Sequence, residues 1–191
     1  MFDTIFGLPT HALVVHGVVV LLPLAAAGAV AVALVPPLRR RFGLLVAALA
    51  VVAVGSVPVA TRSGQHLFDR KSALFGPNDT VEAGLMEQHR TLGQELLPWA
   101  VLLGVATLVV VGVPLLFARG SRVGSHRPAA GGLAVRPTTA MPLWARLVSW
   151  IGIAGVLVGA VASTILVVRI GHAGSKAVWD KLVSPSATAP R

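Results

Sequence analysis

The chain has 191 residues, 55% of them apolar and only 12% charged, with a mean hydropathy of +0.81 and a formal net charge of +9. A soluble domain carries about a quarter charged residues, so this composition excludes an ordinary soluble enzyme, and disorder, which needs low hydrophobicity, is excluded equally. What remains is a multi-pass membrane protein forming a single domain over residues 1–183, with a Pro-, Ser- and Ala-rich tail over 184–191 that reads as disordered.

In chain order, four runs reach the roughly 20 residues needed to cross the hydrocarbon as a helix. They are residues 12–38, 43–60, 96–118 and 147–168. The first lacks a basic leader and is too long for the apolar part of a signal peptide. Their many Val and Gly residues would favour strands in water, but in lipid each span must satisfy its own backbone and is helical. The fold class expected is all-α, a four-helix antiparallel transmembrane bundle.

Pro36 and Pro37 end the first helix and force a tight hairpin with the second. After the second span, Leu67, Phe68, Leu74 and Phe75 flank Asp69, Arg70 and Lys71, the pattern of an interfacial segment. Asn78-Asp79-Thr80 with Glu82 reads as a helix start, Asp79 capping. A helix starting there runs on into the third span, giving that helix an extended outer part that Pro98 is expected to kink. The loop 119–143 is rich in Gly, Pro, Ser and Arg and reads as a tether. In the fourth span Gly155, Gly159 and Ser163 recur every four residues, a close-packing face within the bundle or, as the alternative, a homodimer contact. No internal sequence repeat is strong enough to indicate an inverted-repeat transporter.

The basic residues do not indicate nucleic acid; they cluster beside the spans, as topology signals do. Arg39, Arg40, Arg41, Arg119, Arg122, Arg127, Arg136 and Arg146 flank two connections that hold no acid, while all seven acids lie on the other side. The expected orientation therefore puts those connections in the cytoplasm and both termini outside, in the inner membrane of a bacterium.

Chemistry is limited by what is missing. There is no cysteine, so no disulfide, thiolate metal site or covalent haem attachment. No zinc-protease helix, nucleophile elbow or phosphate loop occurs, no catalytic residue stands out, and the chain does not read as an independent enzyme. The informative residues are the six histidines. His11, His16, His66, His89 and His172 all fall at the outer ends of spans; His126 sits in the cytoplasmic loop. His16 lies inside an apolar stretch, where a polar ring usually faces the bundle and marks a site. His11 is five residues earlier, about 140° around a helix, so both face one cavity only if the helix starts late. Glu82, His89 and Gly93 share a helix face, and Gly93 permits a close approach. Gly171 and Gly174 flank His172 in what reads as a turn or helix end, and Arg169 precedes it, either snorkelling or neutralising an anion.

Histidines on different helices hold haem iron in bundles, and histidines with a carboxylate hold copper or zinc. The leading set is His16, His89 and His172, with His11 and His66 as further ligands. The function expected is a redox or metal-binding membrane subunit holding b-type haem, copper or zinc, and passing electrons between quinone or a partner protein and an outer acceptor. A cofactor-free structural or assembly subunit is the first alternative and an ion or metal transporter the second. Transport is disfavoured because the inner half of the bundle offers few polar groups.

The motifs also resemble a known family. Gly7-Leu8-Pro9-Thr10-His11-Ala12-Leu13-Val14-Val15-His16, then Leu21-Leu22-Pro23, resembles the opening of domain-of-unknown-function family 2231. So do Gln88-His89 with Gly93, and Gly171-His172-Ala173-Gly174 followed by Ala177-Val178-Trp179. The resemblance spans residues 7–180 and departs at Thr10, just before His11, and at Ala12, where a proline is typical. It implies a four-span bacterial inner-membrane protein. Members are sometimes fused to cytochrome-like domains, which implies a redox setting.

Overall fold

A computed structural model of the protein describes residues 4–5, 8–72, 80–123 and 141–183. The chain is all-α. A two-residue antiparallel ladder, β1 (Thr4–Ile5) on β2 (Leu8–Pro9), precedes four long helices. These are α1 (Thr10–Leu34), α2 (Pro36–Ser72), α3 (Thr80–Val123) and α4 (Leu143–Val183). All four are long and apolar enough to cross a membrane, and the chain is a multi-pass membrane protein. Each helix packs antiparallel on its sequence neighbours, and α1 closes the ring on α4.

The element boundaries differ from the sequence expectation in three places. The first span breaks at Val35, and Arg39, Arg40 and Arg41 lie in the opening turns of α2 rather than in a turn between helices. α2 continues as helix through Ser72, over part of the expected interfacial segment. Gly171-His172-Ala173-Gly174 is neither a turn nor an end, because α4 runs through it to Val183. α3 starts at Thr80 as expected and is helical through Pro98 and Pro114. Asp79, His126 and the tail over 184–191 lie outside the described residues.

Packing separates small residues from large ones. The interior is lined by Ala25, Ala29, Ala50, Ala53, Ala100, Ala106 and Ala160, while Val20, Leu45, Trp150, Ile151 and Val168 are exposed. Lipid tails are as apolar as leucine, so burying large side chains between helices gains little there, and close backbone approach through small ones gains contact. Gly155 and Gly159 serve this purpose inside the bundle. A Cβ on Gly159 would lie 2.9 Å from the Leu103 backbone, and one on Gly155 would lie 3.0 Å from the Ala106 methyl. This face is therefore occupied by α3 of the same chain and is not free for a second copy. The buried polar side chains among the described residues are Thr107 and Ser163, each donating to a carbonyl of its own helix at 2.6 Å.

The two hairpins, α1–α2 and α3–α4, are structural counterparts. At one constant offset along the chain, Val18 corresponds to Leu96, Leu22 to Ala100, Ala25 to Leu103, Ala29 to Thr107 and Val32 to Val110, and every member is buried. At a second offset Val46 corresponds to Val156, Ala50 to Ala160, Ala53 to Ser163, Val57 to Val167 and Ala60 to Ile170, again all buried. The two hairpins therefore share one burial pattern, α1 matching α3 and α2 matching α4.

Candidate functional site

The same correspondence that matches the cores sets His11 of α1 against His89 of α3. Their ring centroids are 6.5 Å apart with ring planes at 86°. Both line a half-open cavity of about 250 Å³, with walls from all four helices, at the end of the bundle where α1 begins. Its walls are mainly Val15, Val18, Val57, Leu96, Val167 and Ile170.

Each ring is seated in the same way. His11 Nδ1 lies 3.2 Å from the Ala60 carbonyl of α2, and His89 Nδ1 lies 3.2 Å from the Ile170 carbonyl of α4. One turn beyond each carbonyl stands a glycine. A Cβ on Gly64 would fall 2.8 Å from His11 Cε1, and one on Gly174 would fall 3.3 Å from His89 Cε1. The glycines thus leave the space that the rings fill. Ser63 Oγ donates to the Ala60 carbonyl at 2.9 Å and lies 3.2 Å from His11 Nδ1.

These contacts fix the protonation pattern. A carbonyl can only accept, so in each neutral ring the proton is on Nδ1 and the lone pair is on Nε2, on the far side of the ring. Burial holds the His11 imidazole below its ordinary value, and the neighbouring His89 lowers it further; the Ala60 carbonyl, which favours the charged form, offsets part of this. His11 is therefore neutral at pH 7, with a nitrogen free to accept a proton or bind a metal ion. A ring N–H donated to a carbonyl is also how metal-ligating histidines are usually held.

Two further groups define the mouth. Met86 lines the cavity one turn before His89. Arg90 also lines it, ion-paired to Glu87 at 2.7 Å with its guanidinium 5.6 Å from the Phe68 ring centroid. Gly93 lines the cavity, and a Cβ there would meet nothing within 4 Å.

Of the residues singled out in the sequence, the structure brings His11, His89, Gly93 and Gly174 to this cavity. His16 is exposed on the side of α1 turned away from His11, because α1 starts at Thr10 and both histidines are on regular helix. His66 is exposed near the end of α2. His172, Arg169 and Gly171 are exposed on α4, and His172 and Arg169 line a different groove. Glu82 is in the first turn of α3, and its side chain lies outside the described residues. Among the described residues no three His, Cys, Asp or Glu side chains converge on one point. Met86, Gly64 and the two carbonyls were not evident from sequence; the only available signal was Met86 falling three residues before His89. Comparison with known protein families, with curated proteins and with solved structures finds no match to this chain.

Proposed function

We propose that the chain is a redox or metal-binding subunit of the bacterial inner membrane, with both termini outside, and that it holds one copper ion between His11 and His89. The observation that carries this is the pair itself, two imidazoles held through Nδ1 by carbonyls of α2 and α4 and lining one apolar cavity. The ring centroids are 6.5 Å apart, a spacing that one ion about 2.0–2.1 Å from a nitrogen of each ring would bridge once the rings turn toward it. Zinc and calcium take more nitrogen or oxygen ligands than two histidines supply, whereas Cu(I) accepts few ligands and favours a thioether such as that of Met86. An opposed pair on haem iron has a similar ring spacing, but about 250 Å³ is below the roughly 300–1,000 Å³ of pockets that enclose larger ligands. The thioether of Met86 in the same cavity favours a copper ion over b-type haem. Electron exchange would take place with quinone or a partner protein at this end.

A second reading is favoured by the same hydrogen bonds. His11 ties α1 to α2 and His89 ties α3 to α4, which is what a cofactor-free structural or assembly subunit needs. Transport is the weakest alternative, since Thr107 and Ser163 are the only buried polar side chains among the described residues.

Metal analysis and oxidised and dithionite-reduced absorption spectra of the detergent-purified protein separate these readings. Copper near one per chain in wild type, lost in both His11→Ala and His89→Ala while His16→Ala retains it, supports the site. A Soret band replaces copper with haem. No metal and no Soret band after expression with both supplied leaves the structural reading.

A further inference from the structure

A second groove follows the seam of α3 and α4, one residue around each helix from the histidine cavity. Gln88 lines it where His89 lines the other, and Ala173 where Gly174 does. Its volume is about 320 Å³. Arg169, His172 and Lys176 reach it from α4, three and then four residues apart, which puts them on one helix face. All three are exposed, Leu92 and Val168 form an apolar floor, and among the described residues no acidic side chain lines the groove.

The burial correspondence between the two hairpins supplies an internal control. The counterparts of His172 and Lys176 on α2 are Arg62 and His66, so the headgroup level is polar in both halves. The counterpart of Arg169 is Val59, an exposed valine. Arg169 also follows Val168, which is 66% exposed. The second hairpin thus carries a guanidinium where the first presents apolar surface to lipid. Arg169 directly follows the charge-free run of α4 that ends at Val168, at the edge of the apolar span.

We infer that this groove binds the headgroup of an anionic phospholipid. Arg169, with Gln88 beside it, takes the phosphate through its planar fork of donors. His172 and Lys176 face the outer part of the headgroup, and an acyl chain lies along Leu92 and Val168. The apolar floor selects a lipid over a free anion, and the Arg169 and Lys176 cations select an anionic lipid over a zwitterionic one. The site is independent of what the histidine cavity holds.

The test uses the full chain in detergent, following its unfolding temperature while adding phosphatidylglycerol, phosphatidylcholine of the same acyl chains, or inorganic phosphate. Phosphatidylglycerol alone should raise the unfolding temperature. The Arg169→Gln/Lys176→Gln double variant should shift that titration roughly thirtyfold toward higher lipid, five- to sixfold per cation lost. Arg62→Gln, which removes an exposed cation at the matching level of the first hairpin, should leave the titration in place. Should the double variant not fold, Lys176→Gln alone, at the exposed end of the span, carries its own five- to sixfold expectation. An equal response to phosphatidylcholine, an equal response to phosphate, an unshifted titration in the cation variants, or an equal shift in Arg62→Gln each overturns the inference.

Discussion

The glycine seat of His11 gives a prediction that separates the chemistry of the site from the stability of the bundle. In Gly64→Ala the new methyl would sit 2.8 Å from His11 Cε1 and 3.2 Å from Nδ1. Ordinary carbon contacts are about 3.5–4.0 Å, so the ring must retreat by about 1 Å. The Nδ1–carbonyl distance is already 3.2 Å, and that retreat takes it beyond hydrogen-bond range. Losing one interhelical bond in a membrane protein costs on average about 0.6 kcal/mol and at most about 1.7. Replacing glycine by alanine inside a helix returns up to about 1 kcal/mol. The net change in stability is therefore within about 1 kcal/mol in either direction. Metal affinity behaves differently, because losing the partner that orients a ligating histidine typically costs 10–100-fold. Gly174→Ala is the milder version: its methyl would sit 3.3 Å from the His89 ring, which yields by a few tenths of an ångström and keeps its carbonyl. Copper(I) competition titration and thermal unfolding, run on the same three proteins, read both quantities. If Gly64→Ala binds copper as wild type does, or if Gly174→Ala is the more damaging, the seat does not control the ligand.

Three other outcomes follow from the packing and the protonation pattern. Gly159→Ala places a methyl 2.9 Å from the Leu103 backbone, which cannot rotate away, so thermal unfolding should show a loss of about 1–3 kcal/mol. Thr107→Val should change stability by less than about 1 kcal/mol, because the Thr107 hydroxyl bonds only within its own helix; a larger loss would mean that this hydroxyl holds α3 to a neighbour. The His11 value in the folded chain is held below its ordinary one by burial, so as pH falls the unfolded chain takes up this proton first. The neutral ring's contribution is fully present above about pH 6.5 and is lost as pH falls through the folded value. Unfolding temperatures between pH 8 and pH 5 should decline toward acid, and His11→Gln should flatten that decline.

Membrane spans were legible because twenty apolar residues without charge have few other uses, and α3 was legible from the start signal near Thr80. The ends were harder. The tetrad Gly171-His172-Ala173-Gly174 looks like a turn by water-based propensities, yet near a bilayer helix is the conformation that satisfies the backbone, and α4 continues through it. The correspondence between the hairpins was hidden because the paired positions share burial but not identity: Leu22 corresponds to Ala100, and Ala25 to Leu103. Within each hairpin the volumes balance, so a search for repeated letters finds nothing. The histidine site was half legible. The 140° between His11 and His16 was read from spacing, but only the helix start at Thr10 decides which of them turns inward. His89 was read from its face, whereas Gly64 and the Ala60 carbonyl belong to a helix distant in sequence.

The position of the cavity along the bundle has an electrical consequence. His11 lies before the first apolar span begins at Leu13, and below it the bundle interior is alanine, valine and leucine. A full transmembrane crossing of one charge is worth about 2.3 kcal/mol per 100 mV, but a cation arriving at His11 crosses only a shallow part of that field. Its affinity is therefore set by ligand chemistry and by the pH on that side, and hardly by the membrane voltage. Among the described residues no buried titratable group continues from His11 toward the arginine-bearing end. On the proposed copper reading, an ion held at His11 would therefore exchange with the compartment on its own side of the membrane, with little coupling to the membrane voltage.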